Sequence, residues 1–129
     1  MSNPQALIID DNHKNVNVLA RLLSYEGLSN IQINNPNNLD SALDQIDDLQ
    51  VVFLDLEMPE MDGYDVLEKL KSDDRFQSIP IIAYTVHVGE IRTAHTKGFN
   101  GFLGKPIDSD KFPDQLARIL NDEAVWETP

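Results

Sequence analysis

Val51-Val52-Phe53-Leu54-Asp55 is the stretch on which the fold turns. Four consecutive apolar residues, two of them β-branched, leave no polar face, so the segment reads as a strand buried on both sides. It stops abruptly at a carboxylate. Ala6-Leu7-Ile8-Ile9 behaves alike and stops at Asp10-Asp11, and Ile79-Pro80-Ile81-Ile82-Ala83 ends near Thr85. Two weaker strands complete the set: Ile31-Gln32-Ile33, and Phe102-Leu103 between Gly101 and Gly104.

Helical patterns fill the intervals. Val16, Leu19, Leu22 and Leu23 form an apolar stripe, with Gly27 placed to end the helix. Leu39, Leu43 and Ile46 predict a second helix, entered through the turn and cap cluster Asn34-Asn35-Pro36-Asn37-Asn38. Val66, Leu67 and Leu70 mark a third. A less apolar fourth runs from about Glu90 to Lys97 and stops at Gly98. Phe112, Leu116, Ile119 and Leu120 mark a fifth, with Asp108 or Ser109 as its cap. Five strands alternating with five helices predict an α/β fold, a five-stranded parallel sheet with helices on both faces. One domain is expected over residues 1–121, with residues 122–129 as a loose tail anchored only by Trp126.

Composition narrows the function classes. The 129 residues are 41% hydrophobic and 25% charged, the balance of a globular domain. Ten Lys and Arg stand against 22 Asp and Glu, a net charge of −12. Direct nucleic-acid binding needs basic side chains on phosphates, so this balance argues against it and favours divalent cations or a partner with a basic face. The chain has no cysteine. That excludes disulfides, thiolate metal sites and cysteine nucleophiles, and accords with a reducing compartment. No apolar run approaches the roughly 18 residues that span a bilayer. The start, Met1-Ser2-Asn3-Pro4, lacks the charges and apolar stretch of a signal peptide. A cytoplasmic location and no membrane partner are expected.

In an open parallel sheet, ligands bind beyond the carboxyl ends of the strands. The residues there are Asp10, Asp11, Asp55, Thr85 and Lys105. Any one alone reads as a helix cap or a solvated loop residue; five on one edge read as a site. Converging carboxylates repel one another and call for a cation. The donors are oxygens only, which suits Mg²⁺ shared with a phosphate. Lys105 and Thr85 are the groups to hold phosphoryl oxygens. Asp55 is then the nucleophile, forming an acyl phosphate without a general base. His13, His87 and His95 have no spacing that gathers them on a metal and read as surface histidines.

From Ala6 to about Leu120, the chain resembles the receiver domain of two-component response regulators, of the chemotaxis-regulator type. Asp10-Asp11 match the family's acidic pair, and Asp55 its phosphoacceptor. Met58-Pro59 and Asp62-Gly63 match the loop that follows. Thr85 matches the hydroxyl residue thirty positions after the phosphoacceptor, Lys105-Pro106 the Lys-Pro whose peptide bond is usually cis, and Phe102 the switch aromatic.

The resemblance implies a flavodoxin-like doubly wound (βα)5 fold with strand order 2-1-3-4-5. It implies Mg²⁺ (or Mn²⁺) held directly by Asp11, Asp55 and the backbone carbonyl of Glu57, with Asp10 acting through water. The phosphoryl donor is then a phosphohistidine on a sensor histidine kinase or phosphotransfer protein. After transfer, Thr85 moves to bond the phosphoryl group and Phe102 swings inward. The surface of the fourth helix, fifth strand and fifth helix then changes its contacts with a downstream protein. The implied molecule is a stand-alone regulator that catalyses only its own phosphorylation and dephosphorylation.

Two positions depart from the family pattern. Val86 stands where Ala, Gly or Ser is usual, and His87 follows it near the mouth of the site. Both bear on the lifetime of the phosphorylated form.

Two other classes compete. A hydrolase of the haloacid-dehalogenase type also uses an aspartate nucleophile, but it has a second Asp where this chain has Glu57, and it needs a cap and a longer chain. Repeated turnover of a small phosphoester distinguishes it. A pseudo-receiver or flavodoxin-like binding module would never be phosphorylated. The complete set of five residues argues against it, as does the lack of a Gly- or Ser/Thr-rich phosphate loop after the first strand.

Overall fold

A computed structural model describes residues 4–58 and 61–128, apart from the side chains of His13, Asn15, Pro36 and Met61. Pro59 of the loop motif lies outside the described residues. All five expected strands form: β1 Pro4–Ile9, β2 Ser29–Ile33, β3 Asp48–Asp55, β4 Ile81–Thr85 and β5 Gly101–Gly104. They are parallel and lie in the order 2-1-3-4-5.

The expected loose tail is corrected. Val125–Glu127 is a sixth strand, β6, parallel to β5 with Trp126 opposite Phe102, so the sheet has six strands. Three residues carry no readable periodicity; what holds them is the β5 edge, whose backbone groups need partners. Gly101 makes room, since a Cβ there would meet the Val125 carbonyl oxygen at 2.8 Å. Glu127 accepts from Gln115 Nε2 at 3.0 Å and from Arg118 at 2.7 Å. Trp126 rests against His95, ring centroids 4.7 Å apart.

The helices are α1 His13–Tyr25, α2 Leu39–Asp44, α3 Gly63–Lys71, α4 Ile91–Lys97 and α5 Phe112–Leu120. Helix α2 ends before Ile46, which still packs on the core. The expected cap of α5 is corrected: Lys111 is the N-cap, and no side chain caps the helix. In the turn before it, the Asp108 carboxylate accepts from Asp110 N–H at 2.9 Å and the Asp108 carbonyl accepts from Phe112 N–H at 3.0 Å.

Strand alternation splits the interior into two cores. Ala6, Ile8, Val51, Phe53, Ile82 and Tyr84 pack with α1 and α5 residues such as Leu19 and Leu116. Leu7, Ile9, Val52, Leu54, Ile81 and Ala83 pack with α2, α3 and α4 residues such as Ala42, Leu67 and Ala94. Each buried Leu, Ile or Phe contributes roughly 1.5–3 kcal/mol. After β1 the chain turns to one face, and after β3 to the other. A crevice opens between their carboxyl ends.

Candidate functional site

Asp10 and Asp55 stand at the two lips of that crevice. Together with Asp11 they each offer a carboxylate oxygen within 4.8 Å of the others; Asp10 and Asp55 are buried and Asp11 is exposed. Asp10 Oδ1 accepts from the Asn12 N–H at 2.9 Å. Asp10 Oδ2 accepts from the Tyr84 hydroxyl and lies 3.3 Å from Lys105 Nζ. The ammonium is also 3.5 Å from Asp55 Oδ1, which accepts from the Glu57 N–H at 3.1 Å. One ammonium thus bridges two of the three carboxylates, Asp10 and Asp55.

Lys105 reaches the site because β5 ends beside β4: its N–H donates to the Thr85 carbonyl at 2.8 Å. The Lys105-Pro106 bond is cis, as the resemblance implied. Burial pushes the Asp55 carboxyl up to about 7; Lys105 pulls against this, and the neighbouring Asp10 adds to it. Burial, then the charge of Asp10, holds the Tyr84 phenol far above its ordinary range, so the phenol stays a hydrogen-bond donor.

Thr85 is fully buried at the end of β4, and its Oγ1 accepts from the His87 N–H at 3.2 Å. The His87 side chain pairs with the Glu57 carboxylate. His87 is exposed, as a surface histidine should be, but this contact joins the loop after β4 to the loop after β3. Val86 beside it is 55% exposed.

The loop after β3 closes as a short antiparallel ladder of Glu57–Met58 against Met61–Asp62. Asp62 caps α3 by accepting from the Tyr64 N–H at 2.8 Å. A Cβ on Gly63 would lie 2.9 Å from Leu56 Cα and 3.1 Å from the Asp55 carbonyl oxygen. Only glycine lets α3 begin so close to Asp55, which explains the Asp-Gly pair physically.

Phe102 is placed differently from the expectation of an inward swing. Its ring is already fully buried, in the same core as Ala83, Ala94 and Phe99, with Trp126 of β6 opposite it in the sheet. His95 lies on α4 against Trp126, and the His13 side chain falls outside the described residues.

The structure therefore brings together Asp10, Asp11, Asp55 and Lys105, sets Thr85 at the next residue along from the Asp55 partner Tyr84, and places Glu57 at the rim. Sequence reasoning missed Tyr84. The available signal was a polar-tipped aromatic directly before Thr85 in an otherwise aliphatic strand.

The receiver-domain profile of response regulators matches residues 6–117. The chemotaxis protein CheY1 of Helicobacter pylori is 32% identical over 117 residues, 88% of this chain and 94% of that protein. The osmosensing histidine protein kinase SLN1 of Saccharomyces cerevisiae is 32% identical over 122 residues, 88% of this chain but 10% of that protein's length. Among solved structures, the receiver domain of the Pseudomonas aeruginosa sensor histidine kinase PA1611, with magnesium in its active-site cleft, gives a TM-score of 0.77 at 21% identity. That match covers 91% of this chain and 97% of the other. The profile match runs from β1 through Asp10, Asp55, Thr85 and Lys105 into α5, and on that match this chain belongs to the response regulator receiver domain family of two-component signalling.

Proposed function

We propose that this chain accepts a phosphoryl group on Asp55 from a phosphohistidine of a sensor histidine kinase or phosphotransfer protein, and that the modification changes its contacts with a downstream protein. The observation that carries this reading is a buried Asp55 carboxylate sharing one ammonium, Lys105, with Asp10, beside the exposed acid Asp11. An Asp55 carboxylate oxygen attacks phosphorus, the P–N bond breaks, and the imidazole leaves with the bonding pair and takes up a proton. Lys105, 3.5 Å from Asp55 Oδ1, is in reach of the transferred oxygens. Thr85 Oγ1 accepts from the His87 N–H and keeps its own proton free to donate to the phosphoryl group.

The donor set fits Mg²⁺. Three carboxylate oxygens lie within 4.8 Å of one another, all hard donors, and one ammonium leaves their charge undercompensated. Asp11, Asp55 and the Glu57 carbonyl would hold the ion, with Asp10 acting through water; Mn²⁺ would suit the same donors. When bound, the ion neutralises charge on the carboxylates and on the incoming phosphoryl oxygens. The magnesium in the cleft of the PA1611 receiver domain supports this reading.

We infer from the same reading a phosphoacceptor domain that includes β6 and is turned over only by its own dephosphorylation. Among the described residues no helix is long and apolar enough to cross a membrane. The net charge of −12 supports a protein partner with a basic face rather than nucleic acid. The cysteine-free composition supports a cytoplasmic setting.

Intact-mass spectrometry after incubation with phosphoramidate tests the assignment. A single phosphoryl adduct is expected that needs Mg²⁺ and is missing in Asp55→Asn. An adduct retained in Asp55→Asn, or repeated hydrolysis of a small phosphoester, overturns it.

A further inference from the structure

We propose that Tyr84 is a positioning residue of this site, whose hydroxyl fixes the Asp10 carboxylate and whose ring holds the Lys105 ammonium between Asp10 and Asp55. The proposal rests on the reading of Asp55 as phosphoacceptor.

Tyr84 sits directly opposite Asp55 in the pairing of β3 with β4 and is buried on the α1 and α5 side, edge-on to Phe53 at 6.2 Å. Burial accounts for the ring; phenylalanine would fill the same space. It does not account for where the hydroxyl lands. A buried phenol needs an acceptor, and this one donates to Asp10, two strands away across β3. Asp10 is thereby held at both oxygens, at Oδ1 by the Asn12 N–H of its own loop and at Oδ2 by a side chain from β4.

Lys105 is located by the same residue. Its Nζ lies 4.2 Å from the centroid of the Tyr84 ring, 3.3 Å from Asp10 Oδ2 and 3.5 Å from Asp55 Oδ1. The aromatic face attracts the cation without fixing it to one carboxylate. The hydroxyl meanwhile shares the negative charge of Asp10, so that Lys105 is not its sole compensation. Remove the hydroxyl and Asp10 draws the ammonium to itself, away from Asp55, where the phosphoryl oxygens must be met. Tyr84 acts through these two groups and needs no contact with the phosphoryl donor.

The test compares labelling of Asp55 by phosphoramidate at saturating Mg²⁺ in wild type and Tyr84→Phe, with Mg²⁺ affinity measured separately by calorimetry. Loss of one hydrogen bond to a charged group predicts labelling slower by about tenfold, with the Mg²⁺ dissociation constant moving by less than about threefold. In an Asp10→Asn background the effect of Tyr84→Phe should shrink below about twofold, because a neutral acceptor no longer competes for Lys105. Equal rates in wild type and Tyr84→Phe, or the same slowing factor in both backgrounds, overturn the proposal. An unlabelled wild type defeats the phosphoacceptor reading itself, whereas a labelled wild type with an equally fast Tyr84→Phe defeats only the role of Tyr84.

The folded wild type gives an independent measurement. The Tyr84 hydroxyl proton should be a slowly exchanging downfield resonance that shifts when Mg²⁺ and beryllofluoride are added. A hydroxyl in fast exchange with solvent overturns the proposal even if the variant fails to fold.

Discussion

Asp55 holds its charge at the buried end of β3, and the cost of that placement can be read against pH. Its carboxyl, ordinarily near 3.8, is pushed up to about 7 by burial, with Lys105 opposing and Asp10 reinforcing the shift. Between those values the folded chain keeps a proton that the unfolded chain has released. Rising pH therefore lowers stability across this window, and the loss is complete above about 7. Asparagine escapes it. In metal-free buffer at pH 8, Asp55→Asn is expected to be more stable than wild type by on the order of 1–2 kcal/mol, once screening at the solvent-facing rim is allowed for. The gain should fade towards pH 4. Urea unfolding at both pH values checks this, and a gain that does not change with pH defeats it. A second effect belongs to the rim. If Asp55 carries an acyl phosphate, its hydrolysis needs water in line with the P–O bond, and the His87 contact with Glu57 joins the two loops whose N–H groups donate to Asp55 and Thr85. His87→Ala should shorten the phosphorylated lifetime several-fold, and more than Val86→Ala, whose side chain is exposed beside it. Decay followed by mass spectrometry decides, and equal or slower decay in His87→Ala refutes a protective role for this contact. Asp10, Asp11, Asp55, Thr85 and Lys105 were legible because each lies at or just past the end of an apolar run. Where the Tyr84 hydroxyl lands and the His87–Glu57 contact were not, since both depend on the register of β4 beside β3, which no local pattern states.

Among the elements, legibility followed self-sufficiency. Strands β1, β3 and β4 are buried on both faces, so their composition alone identifies them, and glycines at 27 and 98 end α1 and α4 in the left-handed region where the spacing predicted. Strand β6 is the opposite case: three residues with no pattern of their own, held by what they meet. Val125 is buried, Trp126 lies on α4, and Glu127 is tied to α5 by Gln115 and Arg118. These partners, the Gln115 amide first and then Arg118, hold the Glu127 carboxyl below its ordinary value. Its contribution is therefore present above that value and lost as acid titrates the folded group, so β6 should loosen at low pH. Gly101 offers the sharper test. A side chain there would press on the Val125 carbonyl oxygen and on Ile82 Cδ1, and the backbone oxygen cannot rotate away. Overpacking of this kind costs roughly 1–3 kcal/mol. Gly101→Val should detach β6, shifting Trp126 emission to the red and speeding amide exchange along β5. An unchanged Trp126 spectrum would show that β6 accommodates the side chain.

At the scale of the whole molecule, the charge of −12 makes folding itself an electrostatic problem. Compacting an acidic chain raises self-repulsion, and the buried carboxylates at the crevice concentrate it at one point. Monovalent salt relieves the diffuse part, since exposed charges further apart than about 10 Å are screened at 0.1 M. It does little for groups buried together. A divalent ion seated among Asp10, Asp11 and Asp55 would act where screening does not reach, and it would favour the folded chain, where the three oxygens come within 4.8 Å. At a hundredfold excess over its dissociation constant such an ion stabilises by about 2.7 kcal/mol, which for a domain of this size raises Tm by on the order of 10 °C. Mg²⁺ is thus expected to raise Tm well beyond KCl at matched ionic strength. The excess should be larger at pH 8 than at pH 5, because with the Asp55 carboxyl at about 7 a proton competes for one of the ligands at the lower pH. Asp11→Ala should remove most of the Mg²⁺ excess while leaving the response to KCl, since the diffuse repulsion is nearly unchanged by one exposed acid. Thermal melts at the two pH values resolve these contributions. If KCl matches Mg²⁺ at pH 8, the three carboxylates of the crevice hold no metal.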